Sequence, residues 1–219
     1  RKKMGSFFAS QYLNDPSPQE DAIFPDQSIQ TYFELPKDAK LDIVGVVDPS
    51  TGAKYGDPAG IVVVGENLNG DWYMLHSESH NYAPDDLGKR MIYLQSRLHP
   101  RLWLVESNGC QAALRPALDK MRRESSQYMR LKWTGSETML SKEARIQDFA
   151  RRCEMGNVFL QPSDSALRLQ MRHWPNPKHD DVLDAAAYVT TVLRSRTPVD
   201  YGEIEQDSGF MDLKVDGWI

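Results

Sequence analysis

Four carboxylates stand where buried chain has least use for charge. Asp181 and Asp184 lie in "KHDDVLDAAAYVTTVL" (178–193), Asp48 closes the apolar run "LDIVGVVD" (41–48), and Glu106 ends "RLWLVES" (101–107). Helix residues three or four apart share a face, so Asp181, Asp184 and Tyr188 form one stripe. Val182, Ala185, Ala186, Val189 and Leu193 form the apolar stripe beside it, and the alanine triplet lets a neighbour approach closely. Burying an unpaired carboxylate there costs several kcal/mol, on the order of what removing one partner of a buried ion pair costs. An Arg partner offsets that cost, and so does a divalent cation with hard oxygen ligands, which suits Mg2+ or Mn2+.

Asp48 and Glu106 extend the same reasoning. If their strands are neighbours, the two terminal carboxylates sit about one strand spacing apart, ~5 Å, and like charges that close need a cation between them. Two Mg2+ ions about 3.5–4 Å apart could then activate water and steady the leaving oxygen of a phosphodiester. The plainer account is that acids after a strand begin a loop, and acids in a first helical turn gain ~0.3–1 kcal/mol from the helix dipole. It suits Asp180 and Asp181 and accounts poorly for Asp184, which sits inside the apolar run.

The elements that must position these acids are legible in the periodicity. Residues 41–48, 59–66 and 71–80 read as three strands, expected to form an antiparallel meander, with turn-rich "PSTGAKYGDP" and "NLNG" between them. Residues 83–99 carry a helix start, Pro84 with acids after it, and Leu87, Met91, Leu94 and Leu98 at helical spacing. Residues 101–107 form a fourth strand followed by a helix over 110–124 despite Pro116, and "YMRLKW" (128–133) is a short apolar run. Ser141 and Gly156 bracket a helix over 141–156, "NVFLQP" (157–162) is a further strand, and "DSALRLQMRHW" and the 178–193 stretch are the last helices. Strands first, then strands alternating with helices, predict an α/β fold.

The chain has 219 residues, 40% hydrophobic and 26% charged, enough for one sizeable core. No apolar run spans a bilayer, the N-terminus lacks a secretory h-region, and Cys110 and Cys153 form neither a disulfide framework nor zinc spacing. The start without Met fits a domain cut from a longer chain. Net charge is −5, yet residues 115–152 hold ten Lys/Arg against five Asp/Glu, while 199–219 hold six acids and one Lys. A basic middle and an acidic tail are compatible with binding an anionic polymer on one face, and equally with a solvated helix.

In this order, "VGVVDPSTGAKYGDPAGIVVVGE", "LWLVESNG" and "KHDDVLDAAAY" resemble the nuclease domain of viral large terminase subunits, the DNA-packaging motors of tailed phages. "FFASQYLNDPSPQEDAIF" resembles the segment joining their ATPase half to the nuclease half, and "SKEARIQDFARRCEMGNVFL" their Lys/Arg segment before the last strand. The resemblance covers residues 6 to 193. It implies an RNase H-like fold with a mixed sheet of five or slightly more strands and helices on both faces. The implied layout is a lead-in over 1–38, the nuclease domain over 39–195, and an acidic tail over 196–219.

The resemblance also implies a Mg2+- or Mn2+-dependent endodeoxyribonuclease with two ions, cutting concatemeric double-stranded viral DNA in the host cytoplasm. Its implied partners are the ATPase domain of the same full-length protein, the portal and the small terminase subunit, with an isolated domain monomeric and no membrane. Asp48 matches the family's first-strand acid and Glu106 its fourth-strand acid. Asp181 and Asp184 also match the "DxxDA" helix motif of related Holliday-junction resolvases. These four are the expected catalytic metal ligands, with Lys142 and Arg145, sharing a helix face, expected at the DNA backbone. Arg151 and Arg152 are weaker candidates there. Asp57 matches a frequent family acid, Asp180 is expected to point away, and His179 could be a base or a surface residue. Tyr188, Trp103 and Trp174 read as packing aromatics, and Ser107 and Cys110 lack a His partner for nucleophilic work. No GxxxxGK[ST] occurs, so the chain cannot translocate DNA alone. A resolvase or transposase-like nuclease, and a non-catalytic docking module, are the alternatives.

Overall fold

A computed structural model describes residues 23–37, 39–49, 58–107, 111–125, 128–134, 140–193 and 211–212. Among these described residues there are eight strands: β1 (Gln30–Thr31), β2 (Lys40–Asp48), β3 (Ala59–Glu66), β4 (Trp72–His80), β5 (Leu102–Glu106), β6 (Leu131–Thr134), β7 (Val158–Leu160) and β8 (Met211–Asp212). Five α-helices accompany them: α1 (Pro84–Leu98), α2 (Gln111–Glu124), α3 (Lys142–Glu154), α4 (Ser165–His173) and α5 (Asp181–Leu193). The sheet order is β1-β7-β4-β3-β2-β5-β6, with β8 pairing the start of β2.

β2, β3 and β4 form the antiparallel meander, and β5 and β6 add in parallel beside β2. β2 and β3 are buried on both faces, which is why they read as continuous β-branched runs rather than as alternating ones. Side chains still alternate between two cores. Val44, Val46, Val62, Val64 and Leu104 meet Ile146, Phe149, Leu167, Met171 and Val182 of α3, α4 and α5. Ile43, Ile61, Val63, Trp103 and Val105 meet Leu87, Met91, Leu94, Leu114 and Leu118 of α1 and α2. Helices therefore cover both faces of a mixed sheet, as an RNase H-like fold requires.

The helix boundaries have local causes. α1 starts at Pro84 with Asp85 and Asp86 in its first turn, and ends on the left-handed His99 (φ 48°). The Ser141 hydroxyl caps α3, accepting from the Ala144 N–H at 3.2 Å.

Part of the expected lead-in over 1–38 packs on the sheet and its helices: Phe24 is buried against Phe149, with ring centroids 6.0 Å apart, and β1 pairs with β7. The Tyr32 hydroxyl donates to the Met74 carbonyl at 2.8 Å and accepts from Gln161 Nε2 at 2.9 Å. Aromatic burial, invisible to strand periodicity, ties this stretch down. Residues 1–22, Asp57, Cys110 and nearly all of the 196–219 tail lie outside the described residues.

Candidate metal centre

Sheet geometry brings the first two acids together. β2 and β5 run parallel with Val46 opposite Leu104 and Val47 opposite Val105, so Asp48 and Glu106 occupy adjacent strand ends. Val44, Val46 and Leu104 face the α5 core, and alternation turns Asp48 and Glu106 to that same face.

The third acid arrives on α5. Gly60 lies opposite Asp48 in β3, and a Cβ there would sit 2.2 Å from the Asp181 carbonyl oxygen. Only a glycine lets the start of α5 rest on the strand this closely. Asp184, one turn further on, then reaches the two strand-end carboxylates. Asp48, Glu106 and Asp184 each offer an oxygen within 4.8 Å of the others, with Glu106 and Asp184 buried and Asp48 half-buried.

The electrostatics match that crowding. Burial first, then the charges of Glu106 and Asp184, push the Asp48 carboxyl up to about 9, with Lys142 working in the opposite direction. Asp184 is held by two cations: Arg145 Nη2 lies 2.8 Å from Oδ1 and Lys142 Nζ lies 3.4 Å from Oδ2. Lys142 also contacts Asp180 at 2.8 Å. The Arg145 guanidinium stacks over the Tyr188 ring, 3.7 Å from its centroid, and donates to the Leu140 carbonyl at 3.2 Å. The Tyr188 hydroxyl donates to Glu106 Oε1 at 2.9 Å. Burial and the Glu106 charge push that phenol up to about 12, so it stays a donor. One aromatic ring thus supports the residues that fix two of the three acids.

The predicted set is distributed unevenly. Asp48, Glu106 and Asp184 converge, while Asp181 stands outside the group of three. Gln170 Nε2 donates to its Oδ1 at 3.1 Å, and its buried Oδ2, near Ser79, has no hydrogen bond of good geometry. Burial raises the Asp181 pKa, against opposing contributions from Ser79, its own helix-end N–H, Gln170 and His179. Lys142 sits half-buried at the rim. Arg145, expected at the DNA backbone, is 5% exposed and pairs with Asp184. Asp180, expected to point away, pairs with Lys142 at the rim.

Arg151 pairs with Asp148 at 2.9 Å, and Arg152 lies over Trp72 and donates to the Gly70 carbonyl at 2.6 Å, at the Glu66 end of β3 away from Asp48. His179 is exposed, Trp103 is fully buried with its indole N–H on Gln95, and Trp174 packs against the core. Sequence reasoning missed Tyr188 and Gly60 as parts of the site. The signal for Tyr188 was its place one turn after Asp184. Gly60 carried none, because it faces a helix more than a hundred residues away in the chain.

Three carboxylate oxygens this close, two of them buried, suit a divalent cation of the hard, oxygen-seeking kind. No family model and no curated protein matches the sequence. Solved structures do. The P22 large terminase nuclease domain superposes with a TM-score of 0.58 at 15% identity, covering 80% of this chain and 93% of that one. The human cytomegalovirus terminase nuclease domain, soaked with manganese and bound to an inhibitor, gives 0.57 at 14% identity, over 78% and 95%. The large terminase nuclease of thermophilic phage G20c with bound magnesium gives 0.55 at 18% identity, over 80% and 98%. The chain shares with these terminase nuclease domains one RNase H-like α/β fold, covering nearly the whole of each.

Proposed function

We propose that the chain is a divalent-metal-dependent endonuclease domain of a viral DNA-packaging terminase. The observation that carries this reading is the convergence of Asp48, Glu106 and Asp184, from segments up to 136 positions apart, on one end of the sheet. Similar solved domains holding magnesium or soaked with manganese support a divalent cation, and Mg2+ or Mn2+, as two ions, is the proposed identity. When bound, such ions supply a water activated for attack on the phosphodiester and charge neutralisation at the leaving oxygen.

The chain's own residues do the rest. Asp48, Glu106 and Asp184 would hold one ion, and the buried, unpartnered Oδ2 of Asp181 would be the fourth carboxylate available to a second. Arg145 and Tyr188 orient Asp184 and Glu106. Lys142, at the rim, is the cation available to exchange Asp180 for a backbone phosphate. The proposed substrate is concatemeric double-stranded viral DNA in the host cytoplasm. An ATPase half of the same protein, the portal and the small terminase subunit are the proposed partners.

Asp48→Asn and Asp184→Asn each remove a ligand charge without changing shape. Both variants are expected to fold, to lose Mn2+ uptake by calorimetry, and to slow the nicking of plasmid DNA with Mn2+ by more than the ~10–100-fold typical of losing a group that only orients a ligand. Full nicking by either variant overturns the reading. Faster cutting of four-way junctions than of linear duplex would move the chain to the resolvase class.

A further inference from the structure

The basic middle of the sequence includes one stretch whose geometry α5 and its site leave unused. In β6 and the residues before it, Met129, Leu131 and Trp133 turn toward the α1–α2 core. Alternation therefore turns Tyr128, Arg130, Lys132 and Thr134 to the opposite face. That is the face of Asp48 and Glu106: Lys132 pairs with Leu104 and Thr134 with Glu106 itself. The ladder continues back to Arg130, whose carbonyl accepts from the Trp103 N–H at 2.8 Å. α5 lies over β2, β3 and β4. Tyr128 is 80% exposed, and Arg130 and Lys132 are exposed as well. Among the described residues these three side chains enter no ion pair or hydrogen bond.

We propose that Tyr128, Arg130, Lys132 and Thr134 form a phosphate-binding row that tracks one DNA strand up to Glu106. Alternate residues of a strand stand ~6.8 Å apart, so the four side chains of the row span ~20 Å leading up to Glu106. Arg, Lys, Tyr hydroxyl and Thr hydroxyl are all phosphate donors and carry no base preference, so the row binds any sequence. This inference rests on the proposed nuclease reading of the carboxylates. The competing use of charge on an edge strand is to block edge-to-edge pairing.

The test is fluorescence anisotropy of the protein with a labelled duplex of about 20 base pairs in EDTA, across a salt series. Replacing Arg130 and Lys132 together by Ala is expected to flatten the slope of log affinity against log salt by about 1.8, at about 0.9 per lost contact. Between about 50 and 200 mM salt, the wild type then loses about twelve-fold more affinity than the variant. Tyr128→Ala is expected to weaken binding equally on duplexes of unrelated sequence. Lys120→Ala with Arg123→Ala, an equal charge change on the exposed side of α2, is expected to leave the slope unchanged.

A wild-type slope in the Arg130/Lys132 variant overturns the row, as does an equal loss in the Lys120/Arg123 control. Self-association of the Arg130/Lys132 variant with intact DNA binding also overturns it, in favour of edge protection. Mn2+ calorimetry separates the two readings. The row variants should take up Mn2+ as the wild type does, whereas a wild type that takes up none refutes the metal centre without touching the salt slope.

Discussion

At the scale of single residues, Tyr188 decides how well the carboxylates are held. Its hydroxyl bonds Glu106 and its ring carries Arg145, which in turn holds Asp184. Groups that orient metal ligands from behind typically change metal affinity or activity by about 10–100-fold when removed. Tyr188→Phe keeps the ring and removes the hydroxyl. It is expected to weaken Mn2+ binding by about ten-fold, at a stability loss of ~1 kcal/mol, read by calorimetry and chemical denaturation. Unchanged Mn2+ affinity would leave Tyr188 a packing aromatic, as the sequence alone suggests.

At the scale of elements, the contact between α5 and β3 sets the distance between Asp184 and the strand-end acids. Gly60 is where the two backbones meet. An added methyl cannot be absorbed by a side-chain rotation, because the atom it strikes is the Asp181 carbonyl oxygen. Gly60→Ala is therefore expected to shift the helix start, cost ~1–3 kcal/mol of stability, and lower Mn2+ affinity together with it. Thermal melts and Mn2+ titration of that variant check the coupling. Wild-type values in both would mean that α5 does not rest on the strand there.

At the scale of the whole molecule, three like charges in one place make stability depend on pH and on metal. Asp48 in the folded, metal-free protein is pushed up to about 9 by burial and by its acidic neighbours. An unfolded Asp titrates near ~3.9, so the folded state holds a proton that the unfolded state has released. That stabilising contribution is complete below about pH 4 and is lost as pH climbs through about 9. The metal-free protein is expected to melt at progressively lower temperature between about pH 5 and 9. Asp48→Asn should flatten that slope, and Mn2+ should raise the melting temperature at the alkaline end. Scanning fluorimetry in EDTA and in Mn2+ checks both, and a pH-independent melt of the EDTA-treated wild type would contradict the crowding.

The sequence by itself determined the elements and the acids that end them. β-branched runs, helical spacing, Pro84 and Ser141 are local signals, and the helix and strand limits they predict agree closely with those observed. Placing Asp48 and Glu106 at strand ends needed only the runs that precede them. Tertiary structure decided which of the four acids meet. Asp184 joins them through a close backbone approach at Gly60, whereas Asp181, on the same helix stripe, goes to Gln170. It also decided that Arg145 turns inward, because helical spacing gives Lys142 and Arg145 one face but not the neighbour that face meets. Periodicity reports direction relative to an element's own axis. The partner across the gap depends on register and packing between segments far apart in the chain, which no local pattern carries.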